Sequence, residues 1–279
     1  LIINYLTTIN NDSKTIIGVS CSIFASGIKA MAQKAKSNRK VNTDHSEELS
    51  GSQFIRVVVN DKLFLRDPQE TELGRKILQH AVIMIDNLGF EEFTFAKLAQ
   101  AIQSTEASIY RYFENKHNLL IYLLSWYWLW LEYLVLFRTN NISKPADRLK
   151  TIVAVMCKQE SSGPFTISLL DEVRLKSIVM NEFNKVYLTK QVDAQNNDGF
   201  FKHYKSFVKT VAKAIADYAP NYPYCNSLAA MVVDESTRQL YFAHHLPSLT
   251  DIQVSDKMEQ DAQAFLEHII NSATANHRR

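Results

Sequence analysis

An all-α chain, with a small helix-turn-helix domain ahead of a larger helical domain, is predicted by three features. Residues 93–120 read FTFAKLAQAIQSTEASIYRYFENKHNLL, two short amphipathic stretches separated by a polar break. Beyond Asp67 no stretch alternates like a half-buried strand, whereas apolar residues recur at i, i+3 and i+4. Breaks at Pro145, at Gly163-Pro164, at 196–199 and at 220–223 divide the remainder into helix-length pieces.

The first element expected to be ordered lies well inside the chain. Residues 1–52 are rich in Ser, Asn, Thr and Lys without sustained periodicity, and little fixed structure is expected there. Within them, KAMAQKAKSNRK at 29–40 carries Lys29, Lys34, Lys36, Arg39 and Lys40 and no acid. Such a run is a solvated tail, or an arm able to follow a DNA groove. Met31 is the first methionine and a candidate start, and 16–28 has an apolar core led only by Lys14, a poor export signal. Residues 53–68 are expected to add a small β-hairpin, because FIRVVVNDKLFLRD alternates around Asn60-Asp61 and is ended by Pro68.

Residues 69–118 are expected to form three helices. The first, 71–88, places Leu73, Ile77, Leu78, Ala81, Ile85 and Leu88 on one side and stops at Gly89. The second, 95–102, buries Phe95, Leu98, Ala99 and Ile102, with Thr94 placed to cap it. The third is capped by Ser104 or Thr105 and is expected to bury Ile109, Tyr110 and Phe113. Thr105, Glu106, Ser108 and Arg111 then point outward, flanked by Tyr112 and Lys116. Hydroxyls, a guanidinium, a phenol and an ammonium are the groups that bond phosphates and base edges.

On these residues the chain resembles the DNA-binding domain of the TetR/AcrR family of bacterial transcriptional regulators. Ala107, Ser108, Ile109, Tyr110, Arg111, Tyr112, Phe113 and Lys116 fit the family's pattern of small residue, Tyr, aromatic, Phe and Lys, and Leu119 and Leu120 carry it into the next helix. Two departures stand out: Gln103 where the family usually has Gly in the turn, and Ser104 in place of an aliphatic residue. The resemblance implies a homodimeric, cytoplasmic, ligand-responsive regulator, a repressor on a palindromic duplex operator, released by a small-molecule effector. The DNA-contact candidates are Thr94, Ser104, Thr105, Glu106, Ser108, Tyr110, Arg111, Tyr112 and Lys116. Arg111 and Thr105 are expected at base edges, Tyr112, Lys116 and Ser108 at phosphates, and Tyr110 chiefly in a structural role. Glu106 is suited to accept from a cytosine amino group.

Composition is that of a soluble globular protein, 46% apolar and 22% charged with a net charge of +2. Between residues 72 and 138 six basic residues face seven acidic ones, so the expected reader carries no basic field of its own. Cys21, Cys157 and Cys225 are far apart and form no CxxC, which suggests neither disulfide nor metal site. His244 and His245 are adjacent and cannot chelate one ion from one helix face. A nucleophile elbow, a phosphate loop and HExxH are all lacking, so neither an enzyme nor a cofactor is expected.

Residues 119–279 are expected to form the ligand-binding and dimerisation domain. Its first helix, from 116 to about 137, is apolar all round with Glu132 as its one acid. By length 119–137 is a transmembrane candidate, and a membrane-anchored regulator is the alternative reading. No membrane is expected, since a helix joining two domains is also apolar on every side. The aromatic stripe of Tyr122, Trp126, Trp130, Tyr133 and Phe137 is at helical spacing, and the resemblance implies an effector pocket bordered by Trp130, Tyr133 and Phe137. Further helices are expected at 145–159, 166–187, 200–218, 224–245 and 255–273, the last two forming the dimer contact. A helical ligand-binding protein that reads no DNA is a second alternative.

Overall fold

The computed structural model describes residues 57–158 and 169–277. Among these there are ten α-helices and no strand: α1 (Glu72–Leu88), α2 (Phe95–Ala101), α3 (Glu106–Tyr110), α4 (Lys116–Thr139), α5 (Pro145–Cys157), α6 (Glu172–Tyr187), α7 (Val192–Asn197), α8 (Lys202–Tyr218), α9 (Cys225–His245) and α10 (Met258–Ala273). The fold is all-α, as expected. The basic run at 29–40 lies outside the described residues.

The core is built around α4, which α5, α6 and α8 cover. It is a described helix long and apolar enough to cross a membrane, yet 72% of its most apolar window is buried inside the protein. Protein contacts therefore account for its apolar circumference. Its one acid is partnered too: Glu132 Oε1 accepts from Ser206 Oγ at 3.0 Å and Thr210 Oγ1 at 2.8 Å, both on α8. Around this axis α8 packs on α9, α9 on α10, and α10 on α5. At the other end α1 packs on α6. Arg174 of α6 reaches Asp86 at 2.6 Å and Asn87 at 3.1 Å near the end of α1.

The hairpin expectation needs correction over its described part. Residues 57–67 form an extended stretch and one 3-10 turn, Asp61–Leu63, with no ladder. The reason is a competing partner. Val57 donates its N–H to Gln69 Oε1 at 2.9 Å and accepts from Gln69 Nε2 at 2.6 Å, so a buried amide side chain takes the bonds a second strand would have taken. Asn60-Asp61 does turn the chain, but into a strap. Leu63 is fully buried, Leu65 N donates to Tyr112 O at 2.8 Å, Asn60 Nδ2 donates to Asp198 O at 2.8 Å and Lys62 pairs with Asp198 at 2.8 Å. The strap thus touches both the end of α3 and the α7–α8 junction.

Helix boundaries in the second half hold to within a few residues. α8 begins at Lys202 rather than 200, and α10 at Met258 rather than 255, because Ser255 makes a local turn, its Oγ accepting from Lys257 N at 3.2 Å. The start expected at 166 lies outside the described residues, and α6 begins at Glu172 behind the Asp171 cap. The six-residue α7 has no counterpart in the periodicity reading.

His203, at the start of α8, donates to the strap backbone at Val58, which favours the charged ring, but burial, with Lys202 adding to it, outweighs that bond and pushes its pKa from the ordinary 6.5 down to about 4. The folded state therefore holds this ring neutral while the unfolded chain still binds a proton. Its contribution is complete above pH 6.5 and is lost as pH falls toward 4. Denaturant titrations across that window should show stability falling with acid, and His203→Phe should flatten the fall. An identical slope in the variant would assign the acid sensitivity to other groups.

Candidate nucleic-acid interface

α1 supplies the support. Thr71 caps it, its Oγ1 accepting from Gly74 N at 3.0 Å, and Ile77, Leu78, Ala81, Val82 and Ile85 are buried. Leu88, expected on that face, is 47% exposed, and Val82 takes its place. Gly74 lies so close to the strap that a Cβ there would come within 2.3 Å of Pro68 O. The helix leaves through Gly89 at φ 78° and ψ 158°, a region open in practice only to glycine.

The loop that follows is held from two sides. Lys116 Nζ donates to Phe90 O at 3.0 Å, Glu91 O at 3.1 Å and Phe93 O at 3.1 Å, and lies 4.7 Å from the centroid of the Phe90 ring. From α6, Glu182 Oε1 accepts from Phe90 N at 3.0 Å, and Lys185 bridges Glu182 and Glu91 at 2.9 Å and 3.0 Å. The chain enters α2 through Thr94, whose Oγ1 accepts from Lys97 N at 3.2 Å as its position predicts.

The turn between α2 and α3 explains how Gln103 replaces the usual glycine. Ser104 N bonds Ala99 O at 2.9 Å and Gln103 N bonds Gln100 O at 3.2 Å, the paired bonds of a Schellman ending, with Gln103 at φ 54°. Thr105, not Ser104, caps α3: its Oγ1 accepts from Ser108 N at 3.2 Å and lies 2.8 Å from Ser108 Oγ. Ile109 and Phe113 are fully buried and fix the helix to the core.

The outward face then consists of Thr105, Glu106, Ala107, Tyr110 and Arg111, with Ser104 and Ser108 half-buried beside it and Thr94 exposed at the start of α2. Two expected roles exchange. Tyr110, expected inside, is 46% exposed and packs edge-on against Phe95 at 5.1 Å. Tyr112, expected at a phosphate, is 2% exposed, and its hydroxyl lies 2.7 Å from Thr71 Oγ1. α3 ends at Tyr110, so the helical period used to place both rings no longer applies to the second. Lys116 also differs from expectation, because its three protons go to loop carbonyls. Ala107 is exposed at the start of α3, a position that reading polar chemistry alone passed over.

On α4 the aromatic stripe forms a ladder from core to surface. Trp126 stacks on Trp130 at 5.9 Å, Trp130 on Tyr133 at 5.5 Å and Tyr133 on Phe137 at 6.3 Å. Trp130 is buried, Tyr133 half-buried and Phe137 49% exposed. The indole N–H groups of Trp126 and Trp130 are buried with no acceptor among the described residues. His244 and His245 lie on the surface, and no group of metal-ligating side chains occurs among the described residues.

Two substitutions should separate the turns. Gly89→Ala should cost about 1–3 kcal/mol from backbone strain alone, since a Cβ there meets nothing nearer than Glu182 Oε1 at 3.9 Å. Gln103→Gly should instead raise stability by roughly 1 kcal/mol by relieving the left-handed residue. Chemical denaturation of both variants is the check, and a destabilised Gln103→Gly would mean the glutamine side chain contributes more than its backbone costs.

Residues 77–123 match the model of the family described as bacterial regulatory proteins, tetR family. Comparison with curated proteins gives no match. Among solved structures, the chain is similar to the ketosteroid transcriptional regulator KstR2 of Mycobacterium tuberculosis, with 14% identity and a TM-score of 0.47 over 72% of this chain and 95% of that one. It is similar to AibR, solved in complex with isovaleryl coenzyme A and operator DNA, with 18% identity and a TM-score of 0.46 over 72% and 98%. It is also similar to the fatty acid degradation regulator FadR from Bacillus halodurans, with 15% identity and a TM-score of 0.44 over 72% and 95%. The match to the tetR family of bacterial regulatory proteins spans α1 from Ile77 onward, α2, the turn, α3 and the start of α4.

Proposed function

We propose that this protein is a sequence-specific, DNA-binding transcription regulator: a cytoplasmic homodimeric repressor that a small-molecule effector releases from a palindromic operator. The observation that carries the reading is α3 itself. Its inner side is fixed by fully buried Ile109, with fully buried Phe113 just beyond its end, while Thr105, Glu106, Ala107, Tyr110 and Arg111 are all exposed.

Each exposed group has a use in a major groove. Arg111 is suited to the two acceptors of a guanine, Glu106 to a cytosine amino group and the Ala107 methyl to a thymine methyl. The hydroxyls of Thr94, Ser104, Ser108 and Tyr110 suit phosphates, and Thr105 sits at the edge of the same face. Tyr112 and Lys116 act from beneath by holding the reader in place. Domain limits of 69–118 for the reader and 119–279 for the effector and dimer part belong to the same proposal, with α4 running through the boundary.

Dimerisation through α9 and α10 is supported by Met231 and Phe265, which leave 42% and 38% of their surface exposed on helices that already pack on each other. Two readers related by a two-fold axis would address successive major grooves. An effector beside Trp130, Tyr133 and Phe137 would find a flat apolar surface and, in the two indole N–H groups, unused donors. Release follows if it binds better to the arrangement in which the readers are wrongly spaced.

Selection of bound sequences from a random duplex pool tests the reading, and a palindromic consensus is expected. Within it, Arg111→Ala should relax one position per half-site at a cost of about 1–3 kcal/mol. Tyr110→Phe should weaken all sequences alike. An absence of enrichment at low salt would sink the proposal.

A further inference from the structure

Seven lysines and arginines lie between residues 57 and 118. Most of them are already spent on the protein. Lys62 pairs with Asp198 at 2.8 Å, Lys76 with Glu72 at 2.8 Å and Lys97 with Glu92 at 3.5 Å. Arg75 donates to Gln69 O at 3.0 Å, and Lys116 serves the 90–93 loop. Two guanidinium groups, those of Arg66 and Arg111, are exposed and have neither an acid nor a carbonyl partner among the described residues. Arg111 already belongs to the reader. Arg66 lies on the strap, ahead of α1 and outside the family match.

The strap brings Arg66 to the reader. Leu65 N donates to Tyr112 O at 2.8 Å, and the Arg66 guanidinium carbon stands over the Tyr112 ring, 5.7 Å from its centroid. The two free cations therefore meet at one residue: Arg111 precedes Tyr112 in the chain, and Arg66 lies over its ring. That ring is itself fixed, buried with its hydroxyl 2.7 Å from Thr71 Oγ1. The backbone on the other side of Arg66 is held as well, since Asp67 Oδ1 accepts from Gln69 N at 2.8 Å and the Gln69 amide bonds Val57 and Tyr122. A cation over an aromatic face is positioned without consuming its N–H donors. Arg66 is thus held in place with its hydrogen-bonding capacity left over.

A helix with its side chains is about 10–12 Å across and the major groove about 12 Å wide, so a reader helix fills the groove it enters. A second element standing beside that helix meets the phosphates along the groove's edge, not the bases. We propose that Arg66 is a phosphate-binding residue of the DNA interface, through which the strap adds one backbone contact beside each reader helix. The planar fork of its N–H groups suits the two free oxygens of a single phosphate. This inference rests on the DNA-binding reading above and extends the interface beyond the helix-turn-helix. It also places a free positive charge next to a segment, 72–138, in which six basic residues face seven acidic ones.

The test combines phosphate-ethylation interference with a salt titration, on the duplex that the native full chain selects from a random pool. One phosphate in each half-site whose ethylation blocks the native protein should cease to matter for Arg66→Ala. Affinity of that variant should fall by about tenfold at low salt, the worth of a hydrogen-bonded charge. The slope of log affinity against log salt should become shallower by about 0.9 for each reader engaged, with the selected consensus unchanged. Arg66→Lys, which keeps the charge and loses the fork, should retain the native slope with part of the affinity lost. An ethylation pattern and salt slope in Arg66→Ala identical to those of the native chain overturn the inference while leaving the DNA-binding reading intact. A consensus relaxed at one position, as expected for Arg111→Ala, also overturns it, because Arg66 would then touch a base. Absence of any enriched duplex for the native chain sinks the DNA-binding reading and this inference together.

Discussion

Three carbonyl oxygens of the 90–93 loop converge on the ammonium of Lys116, and the placement of the reader depends on that contact. The loop is short, begins at a glycine held in a conformation other residues avoid, and has no regular structure of its own to satisfy its carbonyls. A charged donor with three protons meets that need at one point, and hydrogen bonds to a charged group are worth more than neutral ones. The end of α1, the start of α2 and the first turn of α4 are thereby tied together. Glu182 and Lys185 grip the same loop from α6, so any shift of α6 relative to α4 reaches the helix-turn-helix through a few strong contacts.

The same device occurs deeper in the protein. Lys176 of α6 donates to Met156 O at 2.7 Å, Cys157 O at 3.0 Å and Lys158 O at 2.9 Å, closing the C-terminal end of α5. Burial pushes its pKa down to about 8, because a charge kept out of water is disfavoured. Both lysines are thus spent on architecture, and this bears on how the reader works. With six basic residues against seven acidic over 72–138, and Lys116 turned inward, attraction to phosphate must come from individual placement. The strap adds a constraint outside the family match: it bonds the end of α3 through Leu65 and the α7–α8 junction through Asn60 and Lys62.

Local rules made a good part of this legible. Thr94, and the pair Ser104-Thr105, announced two helix starts because a hydroxyl ahead of a periodic stretch meets an orphan amide, and the structure selects Thr105 of the pair. At Gln103 the resemblance marked the turn by the glycine it usually has there, and the structure keeps the left-handed conformation, φ 54°, with glutamine in its place. The apolar girth of α4 marked a helix covered on every side. Periodicity failed where the helix was too short to sustain it: α3 has five residues, and beyond Tyr110 the chain turns, so the two tyrosines exchanged inside for outside. It failed again at α7, whose six residues carry too little pattern to be distinguished from a loop.

The sequence by itself determined the helices, their caps and the helix-turn-helix, because each follows from contacts within three or four residues along the chain. Tertiary structure decided what individual polar groups do. Gln69 reaches Val57 twelve residues away and Tyr122 on α4, and so replaces a hairpin with a strap. Lys116 reaches back more than twenty residues to the loop before α2, and Gln195 finds His117 across 78 residues. Side chains with several donors or acceptors choose among partners by proximity in space, and that proximity exists only once the helices have packed.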